Sequence, residues 1–319
     1  MSTEYRAALL MLCSTLSLSM TGLVAKFLTG EFSLMTLLFL RLFIPAALML
    51  AAVASIQFVL PKKNLIKPIM TRAVCVVGCQ MCFLASLTQL TLVESVVLFA
   101  TGPLFIPVLE RVFFGIKIKT ITKLALLVTF SGVLLLTSDG SSITFKPEML
   151  IGLGAGMFNA GSQLSLYRST KGDMSPSAIN GWSFLFSSIL VLPISLWFGL
   201  SELDVVILSA PTEYWPIWLA LLALATVTIS NQIFRSMAYK LADSNSQLAP
   251  LIFTHLLFTL AWQLMFFDAE MTQEKILGVT LIVVASLMQT MMPKLKQIFK
   301  SNGLPKLIRL PKLQRIERL

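Results

Sequence analysis

The stretch Lys26-Phe-Leu-Thr-Gly-Glu-Phe-Ser33 is echoed 142 positions later, without a gap, as Arg168-Ser-Thr-Lys-Gly-Asp-Met-Ser175. Gly30 answers Gly172 and Ser33 answers Ser175, while Lys26, Glu31 and Phe32 meet residues of the same chemistry in Arg168, Asp173 and Met174. A second echo, at an offset of 152, lays Pro103 through Val133 over His255 through Ala285. It sets Thr120 on Thr272 and Lys123 on Lys275, each pair at the start of a last apolar run, where a hydroxyl suits a helix N-cap. The offset grows because segment 201–213 is longer than its partner 59–69. Two echoes in one order mark an internal duplication, which restricts the fold more than any single residue does.

The duplicated chain has too little polar surface for water. Of its 319 residues, 56% are hydrophobic and 13% charged, whereas a soluble domain carries roughly a quarter charged residues. The mean hydropathy is +0.84. A bilayer-spanning helix needs about 20 mostly apolar residues. Ten runs meet that length, at 6–28, 33–58, 70–92, 94–115, 119–137, 148–168, 175–200, 214–238, 246–267 and 274–292. Inside hydrocarbon a helix satisfies its own backbone groups, so the expected fold class is an all-α membrane protein with ten transmembrane helices. The first run begins almost at the N-terminus and lacks a small-residue cleavage site, so it reads as a span and not as a signal peptide.

Lys and Arg set the expected orientation. With a cytoplasmic N-terminus, all but four of the 25 basic residues fall on the inner side, the exceptions being Lys26, Arg41, Lys146 and Lys275. The outer loops instead carry Glu31, Asp139, Glu148, Glu202, Asp204, Glu213, Asp268, Glu270 and Glu274. The positive-inside rule therefore predicts that both termini are cytoplasmic. The net charge of +10 does not point to nucleic acid, because the basic residues sit between apolar runs and not on a soluble basic face.

Five helices per half is an odd number, so the second copy enters the membrane from the opposite face. The expected division is one five-helix repeat over 1–145, an inverted one over 146–292, and a basic cytoplasmic tail over 293–319. Inverted repeats place a cavity at their interface near mid-bilayer and can open it to either side in turn.

The duplication, Lys26 at the end of the first span and Arg41-Leu-Phe-Ile-Pro-Ala-Ala-Leu-Met-Leu in the second resemble the drug/metabolite transporter superfamily, EamA branch. The resemblance covers residues 6–292 and implies carriage of small organic metabolites without ATP. The cargo it implies is amino-acid-like, nucleobase- or vitamin-like, or drug-like, and the location a bacterial inner membrane. The Gly-Glu pair that members often carry after the fourth and ninth helices is replaced by Gly115-Ile116-Lys117 and Phe267-Asp268-Ala269.

Several polar residues fall at depth in these spans. His255, the sole histidine, lies about 13 Å into its helix. An ionisable group there marks a functional candidate, either lining the cavity and carrying a proton or held neutral between helices. Arg41 lies about 12 Å in, and either pairs with a substrate carboxylate or phosphate or bonds backbone carbonyls. Asn159 and Gln163 share a helix face and fall on Ser17 and Thr21 in the repeat. With Gln80, Asn231 and Gln232 they form either a polar cavity wall or interhelical bonds. Trp182, next to the repeat counterpart of Arg41, either stacks on a flat substrate or packs. Cys75, Cys79 and Cys82 share one helix face without a His or carboxylate beside them, which favours packing over a metal site.

The expected partners are a small-molecule substrate and the lipid bilayer, with no nucleic acid and no cofactor; a homodimer stays open. Two rivals are a membrane-embedded enzyme acting on lipid-linked substrates and a non-transporting scaffold. The first needs a cluster of acidic metal ligands or a nucleophile beside a base, and the apolar runs hold neither. A scaffold needs no inverted duplication. An ATP-driven pump needs a phosphate-binding glycine loop, and the chain has none.

Overall fold

The computed structural model describes residues 3–55, 59–114, 147–170, 173–198, 201–241, 251–252, 254–267, 272–274 and 276–285, with isolated positions between 123 and 135 and at 288. All regular structure among them is helical. The first half contains α1 (Thr3–Leu28), α2 (Leu34–Ala54), α3 (Lys63–Gln89), α4 (Leu92–Phe99) and α5 (Gly102–Phe114). After the unassigned segment come α6 (Pro147–Thr170), α7 (Pro176–Trp197), α8 (Glu202–Ser209), α9 (Trp215–Leu241) and α10 (Thr254–Phe266), then α11 (Ile276–Ala285). By length and composition α1, α2, α3, α7 and α9 are long and apolar enough to cross a bilayer. The fifth expected span is described only at isolated positions, and the tail over 293–319 lies outside the described residues.

The first echo has a structural meaning. Ser33 and Ser175 are N-caps in nearly the same backbone conformation, φ −60° and ψ 150° against φ −66° and ψ 149°. The Ser33 hydroxyl accepts from the Thr36 amide and the Ser175 hydroxyl from the Ala178 amide, so each starts the second helix of its half.

Two expected spans change. The helix expected from 70 begins at Lys63, so Lys63 and Lys67 belong to α3 and not to a loop, and Arg72 lies deeper along the helix than expected. The run expected as one helix over 94–115 is divided at Ala100–Thr101 into α4 and α5. Pro103 has no amide proton to continue the ladder. The Thr101 hydroxyl instead donates to the Leu98 carbonyl at 2.6 Å, and the Leu104 amide turns back to the Thr101 carbonyl at 2.9 Å.

Packing follows the duplication. Helix α1 lies against α9 and α3 against α6, which are the same pair with the halves exchanged. The pairs α2 with α7 and α4 with α10 are their own images under that exchange. Close approach depends on small residues: a Cβ on Gly156 would stand 2.9 Å from the Leu98 carbonyl, so α6 meets the α4–α5 break backbone to backbone. Cys75 and Cys82 fill the gap above Gly161 and Gly154 of α6, which gives these thiols a packing role.

The distribution of polarity is that of a lipid-embedded bundle. Phe27, Trp197, Phe198, Trp215, Leu219 and Leu257 are exposed, while Ser14, Arg41, Arg72, Asn180, Asn231 and Arg235 are buried. Interhelical hydrogen bonds join the halves inside: Ser14 to Asn231 Oδ1 (2.8 Å), Thr15 with Thr254 (2.8 Å), and the Trp262 indole to Ser19 (3.1 Å). At one end the Asp204 carboxylate takes the Ser33 amide and the Thr36 hydroxyl, each at 3.0 Å. At the other, Lys62 pairs with Asp173 at 2.9 Å in the open.

Candidate functional site

Between the halves lies a cavity of about 40 Å³, space for about three waters. Side chains of α1, α2, α3, α6, α7 and α9 line it, together with Phe99 at the end of α4. Its walls obey the internal repeat. Thr21 and Gln163 correspond at the offset of 142, and both line it. At the offset of 152, Val76 answers Thr228, Cys79 answers Asn231 and Gln80 answers Gln232, and all six line it too. One helical face of α3, running Arg72, Val76, Cys79, Gln80, therefore meets its duplicate on α9, running Thr228, Asn231, Gln232, Arg235.

Six of the eight residues singled out from the sequence meet here: Arg41, Gln80, Asn159, Gln163, Asn231 and Gln232. Gln80 Oε1 has no hydrogen-bond partner among the described residues. Gln163 donates to Asn159 at 3.4 Å and accepts from the Tyr239 hydroxyl at 3.3 Å. Asn231 is steadied by Ser14. His255 lines an adjoining cavity of about 30 Å³ that shares Leu18, Arg41, Gln80 and Phe99 with the first and is otherwise bounded by Gly22, Phe83 and Val96. Its Nδ1 lies 2.5 Å from the Ile252 carbonyl, which requires the proton on Nδ1 and leaves the buried Nε2 as an acceptor without a partner among the described residues. Trp182 is not among the lining residues. Its indole N–H donates to the Val59 carbonyl at 2.9 Å, and its ring packs on Phe186.

Two residues counted among the inner-side charges belong to the site. Arg72 and Arg235 are 1% and 3% exposed, Arg41 is 5% exposed, and all three line the same cavity. Arg72 Nη2 donates to Gln232 at 3.0 Å, but Arg72 Nε and Nη1 have no partner among the described residues. Nor have Arg41 Nε and Nη1 or Arg235 Nε and Nη2. Arg41 lies over the Phe83 ring, 5.5 Å from its centroid. The spacing in the sequence held the signal: Arg72 is eight residues before Gln80 and Arg235 four after Asn231, on the faces already marked as polar.

A polar chamber walled by both halves of a bundle of membrane-crossing helices defines a multi-pass integral membrane protein built for solute passage. The EamA-like transporter family matches over residues 5–138 and 147–291, once per half, and the chain belongs to that family. It is accordingly a membrane transporter of the drug/metabolite type, with lipid and a small molecule as its partners. Among curated proteins none matches the chain. Solved structures match as well, among them a crystal structure with a TM-score of 0.56 at 18% identity, over 92% of this chain and 97% of that one, which extends the likeness to the fold alone.

Proposed function

We propose that the protein is a secondary active transporter that moves small organic metabolites by alternating access. In this reading ten helices form two inverted five-helix repeats, over 1–145 and 146–292. Both termini face the cytoplasm of a bacterium whose inner membrane holds the protein. The observation that carries the reading is the cavity wall, where residues that correspond in the repeat face one another across a single chamber. Such a chamber opens to one side when the halves rock one way and to the other when they rock back. The break between α4 and α5, packed on the glycines of α6, gives that motion a place to bend.

Substrate contact falls to Arg41, Gln80, Asn159, Gln163, Asn231 and Gln232, with His255 at the adjoining lobe. Proton coupling, where the carrier uses it, runs through His255, whose ring alone among the described residues lining these lobes titrates near neutral pH when unperturbed. No catalytic step is assigned: among the described residues no carboxylate lines either lobe.

Uptake into proteoliposomes tests the reading: purified protein should accumulate a solute down an imposed gradient and lose that activity with Asn159→Leu. Cysteines placed at Lys146 and Lys240 should label from opposite sides of the membrane. Labelling from one side would remove the inverted topology.

A further inference from the structure

The three guanidiniums around the chamber have no counter-charge among the described residues. The buried carboxylates among the described residues are Glu94 and Asp204, and each sits in the capping box of its own helix, α4 and α8, outside both lobes. Arg41 enters α2 from one end, about 10 Å along the axis, and Arg72 enters α3 about 13 Å from the other. They and Arg235 thus converge from opposite ends on one space. Unpaired buried cations are held only where a partner of opposite charge visits or where the group neutralises, and an arginine scarcely neutralises. Each guanidinium keeps two N–H-bearing nitrogens without a partner among the described residues, and in Arg235 these are Nε and Nη2, the side-on fork that matches an oxyanion. The adjoining lobe is different, with Phe83, Val96, Phe99 and Gly22 as apolar walls.

Resting on the transporter reading above, we propose that the substrate is an organic oxyanion, bearing a carboxylate or a phosphate and no cationic group. Its charged head sits among Arg41, Arg72 and Arg235, and its apolar body lies against Phe83 and Phe99. Gln80 Oε1 and His255 Nε2, both acceptors without a partner among the described residues, receive a hydroxyl or N–H of the body. A zwitterion brings an ammonium that finds no carboxylate there, and a cation meets like charge.

The test keeps a phenyl ring in every probe and varies the charged head. Purified full-length protein is heated with phenylpyruvate, phenyl phosphate, phenylalanine or phenethylamine, and the same four are offered to proteoliposomes. The two anions should raise Tm by several degrees, the zwitterion and the amine should not, and comparison of the anions tells carboxylate from phosphate. Arg72→Gln and Arg235→Gln should each weaken anion binding by about thirtyfold or more. Arg235→Met should also make the empty protein more heat-stable, because it removes a buried charge that has no hydrogen-bond partner among the described residues. Stabilisation by phenylalanine or phenethylamine with none from the anions overturns the proposal. So does silence in every arm with Arg235→Met no more stable than the parent, since the protein itself would then compensate the guanidinium. Anion binding without uptake would instead uphold the site and count against transport; uptake of the zwitterion or amine alone would do the reverse.

Discussion

A charged residue in a membrane protein is read by where it falls along its helix, and Arg72 and Arg235 show how that reading divides. Both lie within reach of an expected cytoplasmic end, where the positive-inside rule already explains them, so linear position gives no reason to look further. In three dimensions α3 begins at Lys63, about two turns before the expected start, so Arg72 lies well inside the helix and is buried. Arg41, Gln80 and His255 are legible from the sequence because nothing at mid-span explains a polar group except a polar interior. His255 supports a prediction of its own. Its Nε2 is an open acceptor near Arg41, with Arg235 as the other charged group acting on the ring. Transport by the parent should vary with pH, and His255→Gln, which keeps an acceptor and cannot carry a proton, should flatten that profile. An unchanged profile removes the histidine from coupling.

Among the elements, the helix ends are the best-read features and the helix breaks the worst. Ser33 and Ser175 announce two N-caps because a hydroxyl before an apolar run has one common use. The division of the fourth span is legible only in part: Pro103 and Pro107 mark broken backbone bonds in that helix, but the turn itself depends on Thr101 and on the glycines of α6 opposite it. At Gly156 an added Cβ would lie 2.5 Å from Thr101 Oγ1 and 2.9 Å from the Leu98 carbonyl. Gly156→Val should therefore destabilise by about 1–3 kcal/mol, read as a lower Tm in detergent. Asp204 ties α8 to the start of α2. Burial pushes its carboxyl up, but hydrogen bonds from Ser33 and Ser201 outweigh it and hold the group below its ordinary 3.8. A carboxyl so lowered stabilises fully above its unfolded value, and that contribution is lost as pH falls through the folded one. Asp204→Asn should lower stability by about 1–3 kcal/mol at pH 7, and the gap to the parent should close once the pH falls below 3.8. A gap that persists in acid would mean the carboxylate charge is not what fastens this corner.

For the whole molecule, the duplication conveys more than any motif. It gives the pairing of helices, because contacts that are images of one another under exchange of halves are what a twofold arrangement must produce. It does not give the chemistry of the chamber, because corresponding positions have diverged: Cys79 faces Asn231, Phe83 corresponds to Arg235, and Arg41 to Ser183. The resulting lopsided charge has a consequence for the working cycle. A carrier that changes sides must pass through a sealed state, and sealing an empty chamber would strip water from three guanidiniums with nothing to replace it. A bound anion takes the place of that water, so the filled protein turns over more readily than the vacant one. Vesicles preloaded with unlabelled anion should then draw in labelled anion several times faster than vesicles holding none. Equal rates would mean that the vacant chamber seals as easily as the full one, and the protein would behave as a one-way porter instead of a counterflow exchanger.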